Sequence, residues 1–289
     1  MSTWIRRDHT VETQKVQTFT GEGAYHGSTK SKVASAPRPF DEIVSEARPR
    51  TLQRYIEHGI TAIKEFDACF WNDLHLVNLL PVPTQEAVQD DGVTFCWCPF
   101  EVARREAGPV TQRVLDGMSR GLTGRKRYVY IDSKIQWFEP GDLPVDSFLR
   151  HVDGTIAVRD EERVKPFGAT VLHDMCARLE HGDPPRYMAY QSSEHCATGF
   201  LDRPLRMRIP ELIQNFNDFD VRVRRMSGRS EVTHCPGAIL AYDGLTIHWA
   251  NPAAAAGWRL WIRCTETDVE IVPSETMIQC YGTVFRPAA

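Results

Sequence analysis

The pattern of apolar and polar positions changes character at roughly residue 125 of the 289-residue chain. Before that point apolar residues recur at helical spacing. In the segment 39–66, Ile43, Leu52, Tyr55, Ile56, Ile60 and Ile63 fall on such a period, Asp41 can cap a first turn, and Pro49 splits the segment into two helices. A second helical stretch is expected over 100–120, interrupted at Gly108-Pro109 and ended by Gly121. After that the period shortens to two. "RYVYIDSKIQWF" (127–138) is rich in β-branched and aromatic residues and is followed by the turn "EPGD"; "FLRHVDGT" (148–155) reads as a strand running into a turn. The segment 169–182 returns to helix with Gly182 at its C-cap, two strands are expected within 186–202, and a helix is expected over 209–226. The end is strongly β, in "GAILAYDG", "LTIHWANP", "GWRLWIRCTET" and "TMIQCYGTVF".

These elements predict a mainly β, α+β chain, with a helical N-terminal part wrapped on a C-terminal β-sandwich or barrel. Residues 1–37 are polar and poor in large aliphatics, and are read as an N-terminal arm. Residues 38–289 are read as one domain, with 38–125 as helical support or lid and 126–289 as the β core.

Composition narrows the function only a little. Hydrophobic residues make up 42% and charged residues 25%, ordinary values for a globular chain that can bury a sizeable core. The formal net charge of −4 offers no overall basic field for nucleic acid, and the basic runs at 120–127 and 222–230 read as solvated faces. The eight cysteines are scattered, and "CWC" (96–98) lacks the two-residue spacer of zinc and thioredoxin motifs, so reduced intracellular thiols are expected. No signal core and no long apolar run occurs. The expectation is a soluble cytoplasmic protein whose partner is a small molecule, neither nucleic acid nor membrane; the sequence leaves its oligomeric state open.

Two His-x-Asp triplets could ligate a metal. His181 and Asp183 sit in "RLEHGDPPRY", where a helix C-terminus and a Pro-Pro turn account for both. His151 and Asp153, in "LRHVDGT", precede a β-rich half carrying the strand-like "PGAILAYDGLTIHWANP" with His248. Arg259 follows eleven residues later and Arg263 four after that. Alternation places Arg259, Trp261 and Arg263 on one face of a strand and Trp258, Leu260 and Ile262 on the other. Arginines on a cleft-lining face need anionic partners, and a planar guanidinium suits a carboxylate. Two imidazoles and a carboxylate on one face of a metal leave three positions open, which suits non-haem iron.

On these residues the chain resembles the Fe(II)/2-oxoglutarate-dependent dioxygenases, over roughly 127–270. The Arg259–Arg263 spacing is similar to the taurine dioxygenase-like branch. The resemblance implies a double-stranded β-helix of the jelly-roll or cupin kind, and Fe(II), 2-oxoglutarate and O₂ as cofactors. It further implies His151, Asp153 and His248 as metal ligands and Arg259 as the clamp on the far carboxylate of 2-oxoglutarate, helped by Thr155. The implied reaction is oxidative decarboxylation to succinate and CO₂, coupled to hydroxylation, desaturation or ring closure at an unactivated C–H bond. Arg263 is the candidate contact to a substrate carboxylate. Gln191, Ser193 and His195, on one face of a polar strand region, are further substrate candidates, and Asp243 is read as ordering the turn before His248. Tyr128, Lys134 and Trp137 share a strand whose inward parity the sequence does not choose. The competing readings are a cupin-like isomerase, lyase or ligand-binding protein, in which Arg259 has no required partner, and a nucleic-acid-modifying dioxygenase.

Overall fold

The computed structural model describes residues 4–6, 15–19, 65–70, 74–145, 149–152, 185–210, 216–228, 231–268, 270–271 and 283–287. The described chain is mostly β with few helices, its sheets antiparallel apart from one two-stranded pair. Its strands are β1 (Trp4–Arg6), β2 (Lys15–Phe19), β3 (Glu65–Phe70), β4 (His75–Leu79), β5 (Val93–Phe95), β6 (Cys98–Pro99), β7 (Tyr128–Phe138), β8 (Arg186–Gln191), β9 (Thr198–Leu201), β10 (Leu205–Pro210), β11 (Glu231–Thr233), β12 (Ala238–Asp243), β13 (His248–Ala250), β14 (Gly257–Thr267) and β15 (Thr283–Pro287). The principal sheet has the order β4-β12-β8-β14-β7-β6, with every pair antiparallel. A second sheet has the order β11-β9-β13 and is extended past β13 by an antiparallel bridge between His248 and His151.

β14 pairs with β7 along its whole length, from Gly257 opposite Phe138 to Thr267 opposite Tyr128. Because side chains alternate at period two, this register sorts the sheet into two unlike faces. One face carries Trp258, Leu260, Ile262 and Cys264 of β14, Ile131 and Ile135 of β7, Met188 and Tyr190 of β8, and Ile239 and Ala241 of β12. Three helices, Gln85–Asp90, Phe100–Glu106 and Pro109–Ser119, cover it with Val88, Phe100, Ala103, Val110, Val114, Leu115 and Met118. The main hydrophobic core therefore lies between the principal sheet and the helices. The opposite face looks toward the second sheet, through contacts of Tyr242 with Phe200 and His248.

The first half of the chain differs from what its sequence pattern predicts. The interval 38–125 is not helical support alone: among its described residues β4 and β6 form the two edges of the principal sheet. The segment 39–66 lies outside the described residues except for 65–66, which open β3 and pair with β10. Within the segment read as an arm, β1 pairs with β5 and β2 runs parallel to β15. The helix expected over 209–226 starts at Phe216 among the described residues, and 205–210 is strand; Leu205 and Met207 are buried while Arg206 is exposed, a period of two. The break at Gly108-Pro109 is as expected, with Gly108 as N-cap and Pro109 as the first helical residue. The predicted helix 169–182 and the triplet at His181 and Asp183 lie outside the described residues.

Asp91 ties the helical layer together. Its carboxylate accepts from the Val110 and Thr111 amides, at 2.6 and 3.1 Å, and from the Thr111 hydroxyl, thus capping the helix Pro109–Ser119 from a distant turn. Burial pushes its carboxyl pKa up against the opposing pull of those donors. Asp91→Ala would leave buried amides without an acceptor. The expected loss is about 2 kcal/mol, read as a lower urea midpoint at unchanged m-value.

Candidate active site

The inward face of the principal sheet is polar although it is buried. Gln136 stands opposite Arg259, Lys134 opposite Trp261, and Asp132 opposite Arg263; Trp261 is in turn opposite Gln191, and Arg263 opposite Ala189. All are buried except Trp261 and Arg263, which are half-buried. The register resolves the parity question on β7. Lys134 points inward, its ammonium 5.9 Å from the Trp261 ring centroid, while Trp137 lies on the helix-covered face against Trp258.

Arg259 is 3% exposed. Its guanidinium reaches the Gln191 side-chain Oε1 and the Thr198 hydroxyl, each at 3.4 Å, and its Nε has no hydrogen-bond partner. No Asp or Glu pairs with it among the described residues. Burial lowers its pKa, but a guanidinium stays charged. Gln191 is committed to structure: its amide donates to the Ser193 and His234 carbonyls at 3.0 and 2.9 Å, and its oxygen accepts from the Thr198 amide. That commitment aims the Gln191 oxygen at Arg259. Close by, Ser193 Oγ, His195 Nε2 and His234 Nδ1 are buried and have no partner. Burial, reinforced by the Arg259 charge, pulls His234 down to about 4 despite its bond to the Ala238 carbonyl.

Arg263 has a different setting. It forms an ion pair with Asp132 at 3.1 Å and lies over the rings of Trp97, Tyr187 and Trp261, at 5.3 to 5.5 Å. Trp97 holds a left-handed backbone at φ 47°, and its amide donates to Asp132 at 2.9 Å. Neither Trp97 nor Asp132 stood out in the sequence. The signal for Asp132 was its parity with Lys134 on β7; Trp97 gave none, because it lies in the bend between β5 and β6, and nothing in "CWC" marks that bend.

Across the gap, the second sheet brings the two predicted histidines together. The His151 amide donates to the His248 carbonyl at 2.9 Å and the His248 amide to the His151 carbonyl at 3.0 Å, and the ring centroids are 4.4 Å apart. Each Nδ1 binds a carbonyl two residues back: Leu149 at 2.8 Å for His151, Thr246 at 3.0 Å for His248. A carbonyl only accepts, so in the neutral rings both Nδ1 atoms carry the proton and both Nε2 atoms carry the ring lone pair, the tautomer a metal requires. Asp243 orders the preceding turn, accepting from the Leu245 amide and the Thr246 hydroxyl. Asp153 and Thr155 lie outside the described residues, and among those described no third His, Cys, Asp or Glu completes a metal-binding group.

The His151 segment is anchored from behind. The Arg150 amide donates to Asp220 at 2.9 Å, and its guanidinium pairs with Asp220 and Glu231 and stacks 4.3 Å from the Trp249 ring centroid. Trp249 fits because its cross-strand partner is Gly199, where a Cβ would overlap the indole. Alternation then turns Arg150 and Trp249 to the back of the sheet and the two histidines to its front.

No family model matches the chain, and neither does any curated protein. Among solved structures it is similar to AviO1 from Streptomyces viridochromogenes Tue57, at 14% identity and a TM-score of 0.30 over 84% of this chain and 90% of that one. It is also similar to the non-heme alpha-ketoglutarate dependent carbocyclase SnoK from nogalamycin biosynthesis, at 11% identity and a TM-score of 0.33 over 82% and 86%. A third is an N-substituted L-amino acid dioxygenase from Burkholderia ambifaria AMMD, in complex with alpha-KG, at 13% identity and a TM-score of 0.28 over 57% and 63%. No helix among the described residues is long and apolar enough to cross a membrane.

Asp220→Ala would leave the buried Arg150 with Glu231 alone and remove the acceptor of the Arg150 amide. The expected cost is about 3 kcal/mol, read in urea unfolding; Arg224→Ala, which removes the more exposed partner of Asp220, should cost under about 1 kcal/mol.

Proposed function

We propose that the chain is an Fe(II)- and 2-oxoglutarate-dependent oxygenase on a double-stranded β-helix, acting at an unactivated C–H bond of a small, carboxylate-bearing substrate. The observation that carries this reading is Arg259. A buried guanidinium without a carboxylate partner among the described residues is costly, and the cost is lifted when a ligand brings the carboxylate. The two histidines support it independently, since their carbonyl-fixed tautomers offer Nε2 lone pairs side by side, a donor set that suits Fe(II).

His151 and His248 would hold the metal with Asp153, whose role rests on the His-x-Asp motif. Bound there with 2-oxoglutarate and O₂, the iron supplies the oxidising power for C–H attack, with release of succinate and CO₂. Arg259 receives the far carboxylate of 2-oxoglutarate and Gln191 fixes the guanidinium in place; Thr155 is assigned to the same cosubstrate from its sequence position. Arg263 is assigned to a substrate carboxylate. Its ion pair with Asp132 sets the plane of the fork, and a guanidinium has donors enough for two carboxylates. The Trp97, Tyr187 and Trp261 rings around it form an aromatic wall, and Ser193 offers a hydroxyl. Whether the outcome is hydroxylation, desaturation or ring closure follows from how the substrate lies against that wall.

Protein purified without oxygen and given Fe(II) and 2-oxoglutarate should develop the weak visible charge-transfer band of the chelate. His248→Ala should abolish the band, and its persistence in that variant would sink the metal assignment. Arg259→Ala should retain iron while raising the Kd for 2-oxoglutarate about a hundredfold, the equivalent of about 3 kcal/mol for a charge-assisted bidentate contact.

A further inference from the structure

His195 was read from the sequence as a substrate contact, but its position ties it to Arg259. Gly257 and Arg259 are both odd-numbered on β14 and so face the same way, about 7 Å apart along the strand. A Cβ built on Gly257 would lie 3.1 Å from Gln85 Oε1 and 3.2 Å from His195 Cε1, which puts the imidazole at the end of β14 that carries Arg259, close enough to feel its charge. The ring packs edge-on against Phe138 of β7, with centroids 6.4 Å apart. Its Nε2 is buried and has no partner, as does Arg259 Nε, while the Gly257 backbone near the imidazole acts to raise its pKa. In the neutral tautomer protonated at Nδ1 the ring presents only a lone pair at Nε2, and that cannot bond a carboxylate. One proton converts Nε2 into a charged donor.

We propose that His195 is a second donor to the ligand carboxylate held by Arg259, and that this carboxylate binds together with one proton taken up at Nε2. The inference rests on the 2-oxoglutarate reading of Arg259 and deepens it. The charged and titratable groups around the ring are Arg259 from β14, Glu194 beside it in its own loop, and Cys196, which burial keeps as a neutral thiol and which in turn feels Lys134 and Asp142. In the ligand-free protein, burial first and the Arg259 charge besides hold His195 below the ordinary histidine value of 6.5, against the Gly257 backbone and the charge of Glu194. An arriving carboxylate cancels the Arg259 field and supplies an acceptor, so the pKa rises on binding. A group whose pKa rises on binding favours the complex at low pH, and the gain fades as pH climbs through the bound-state value.

The test is calorimetric titration of anaerobic, Fe(II)-loaded full-length protein with 2-oxoglutarate from pH 6 to 8.5, in two buffers of different ionisation enthalpy. The expected result is uptake of up to one proton near pH 7 and an affinity that weakens as pH rises, by at most about tenfold per unit. His195→Gln should bind with no proton uptake and a flat profile. Binding by the unaltered protein without proton uptake overturns the proposal, as does uptake that persists in His195→Gln. Absence of 2-oxoglutarate binding at every pH overturns the cosubstrate reading itself, and this proposal with it.

Discussion

The register of β14 against β7 is the constraint on which the other features depend. With Gly257 opposite Phe138, alternation sends Trp258, Leu260, Ile262 and Cys264 into the helix-covered core and Arg259, Trp261 and Arg263 toward the second sheet. A slip of one residue would bury two arginines among Ile131, Met188 and Leu115 and strand the aliphatic row in the polar gap. Both errors are expensive, so packing and charge enforce the same pairing. The helices matter because they supply the apolar surface that makes one register better than its neighbours.

The second sheet solves a different problem, holding two imidazoles side by side without leaving either to its own rotamers. A backbone bridge sets the spacing of His151 and His248, and a carbonyl two residues back sets each tautomer. Behind them, Arg150 and Asp220 pin the strand to the helix Phe216–Ser227, and Trp249 packs into the space that Gly199 leaves open. The front of this sheet carries the proposed metal ligands and its back is mechanical, and each of residues 150, 151, 248 and 249 belongs to one of the two by parity.

Much of this is legible in the sequence. The period-two segments gave β7, β8, β9, β12, β13 and β14 to within a few residues, because strands with one face on a core write their alternation into the chain. The arginine face of β14 followed from the same rule, and the turn at Asp243 from ordinary turn chemistry. β4, β5 and β6 were not legible, being short and lacking a sustained pattern. β10 was missed, because no strand was expected over 205–208 and the helix expected over 209–226 claimed its last two residues. The role of Gln191 was hidden because its bonds go to backbone carbonyls up to 43 residues away, a long-range fact that no local pattern records.

The placement of the hydrophobic core outside the gap between the sheets has a consequence for how such a chain can change. The groups that hold the fold and those proposed to meet a ligand sit on opposite faces of the same strands, separated by one backbone thickness. Replacing Lys134, Trp261 or Ser193 alters the chamber's shape and charge without removing a side chain from the cluster beneath the helices. A chain built in this way can explore new ligands while its thermodynamic foundation stays fixed, and the two selections, for folding and for chemistry, act on alternate letters of one sequence.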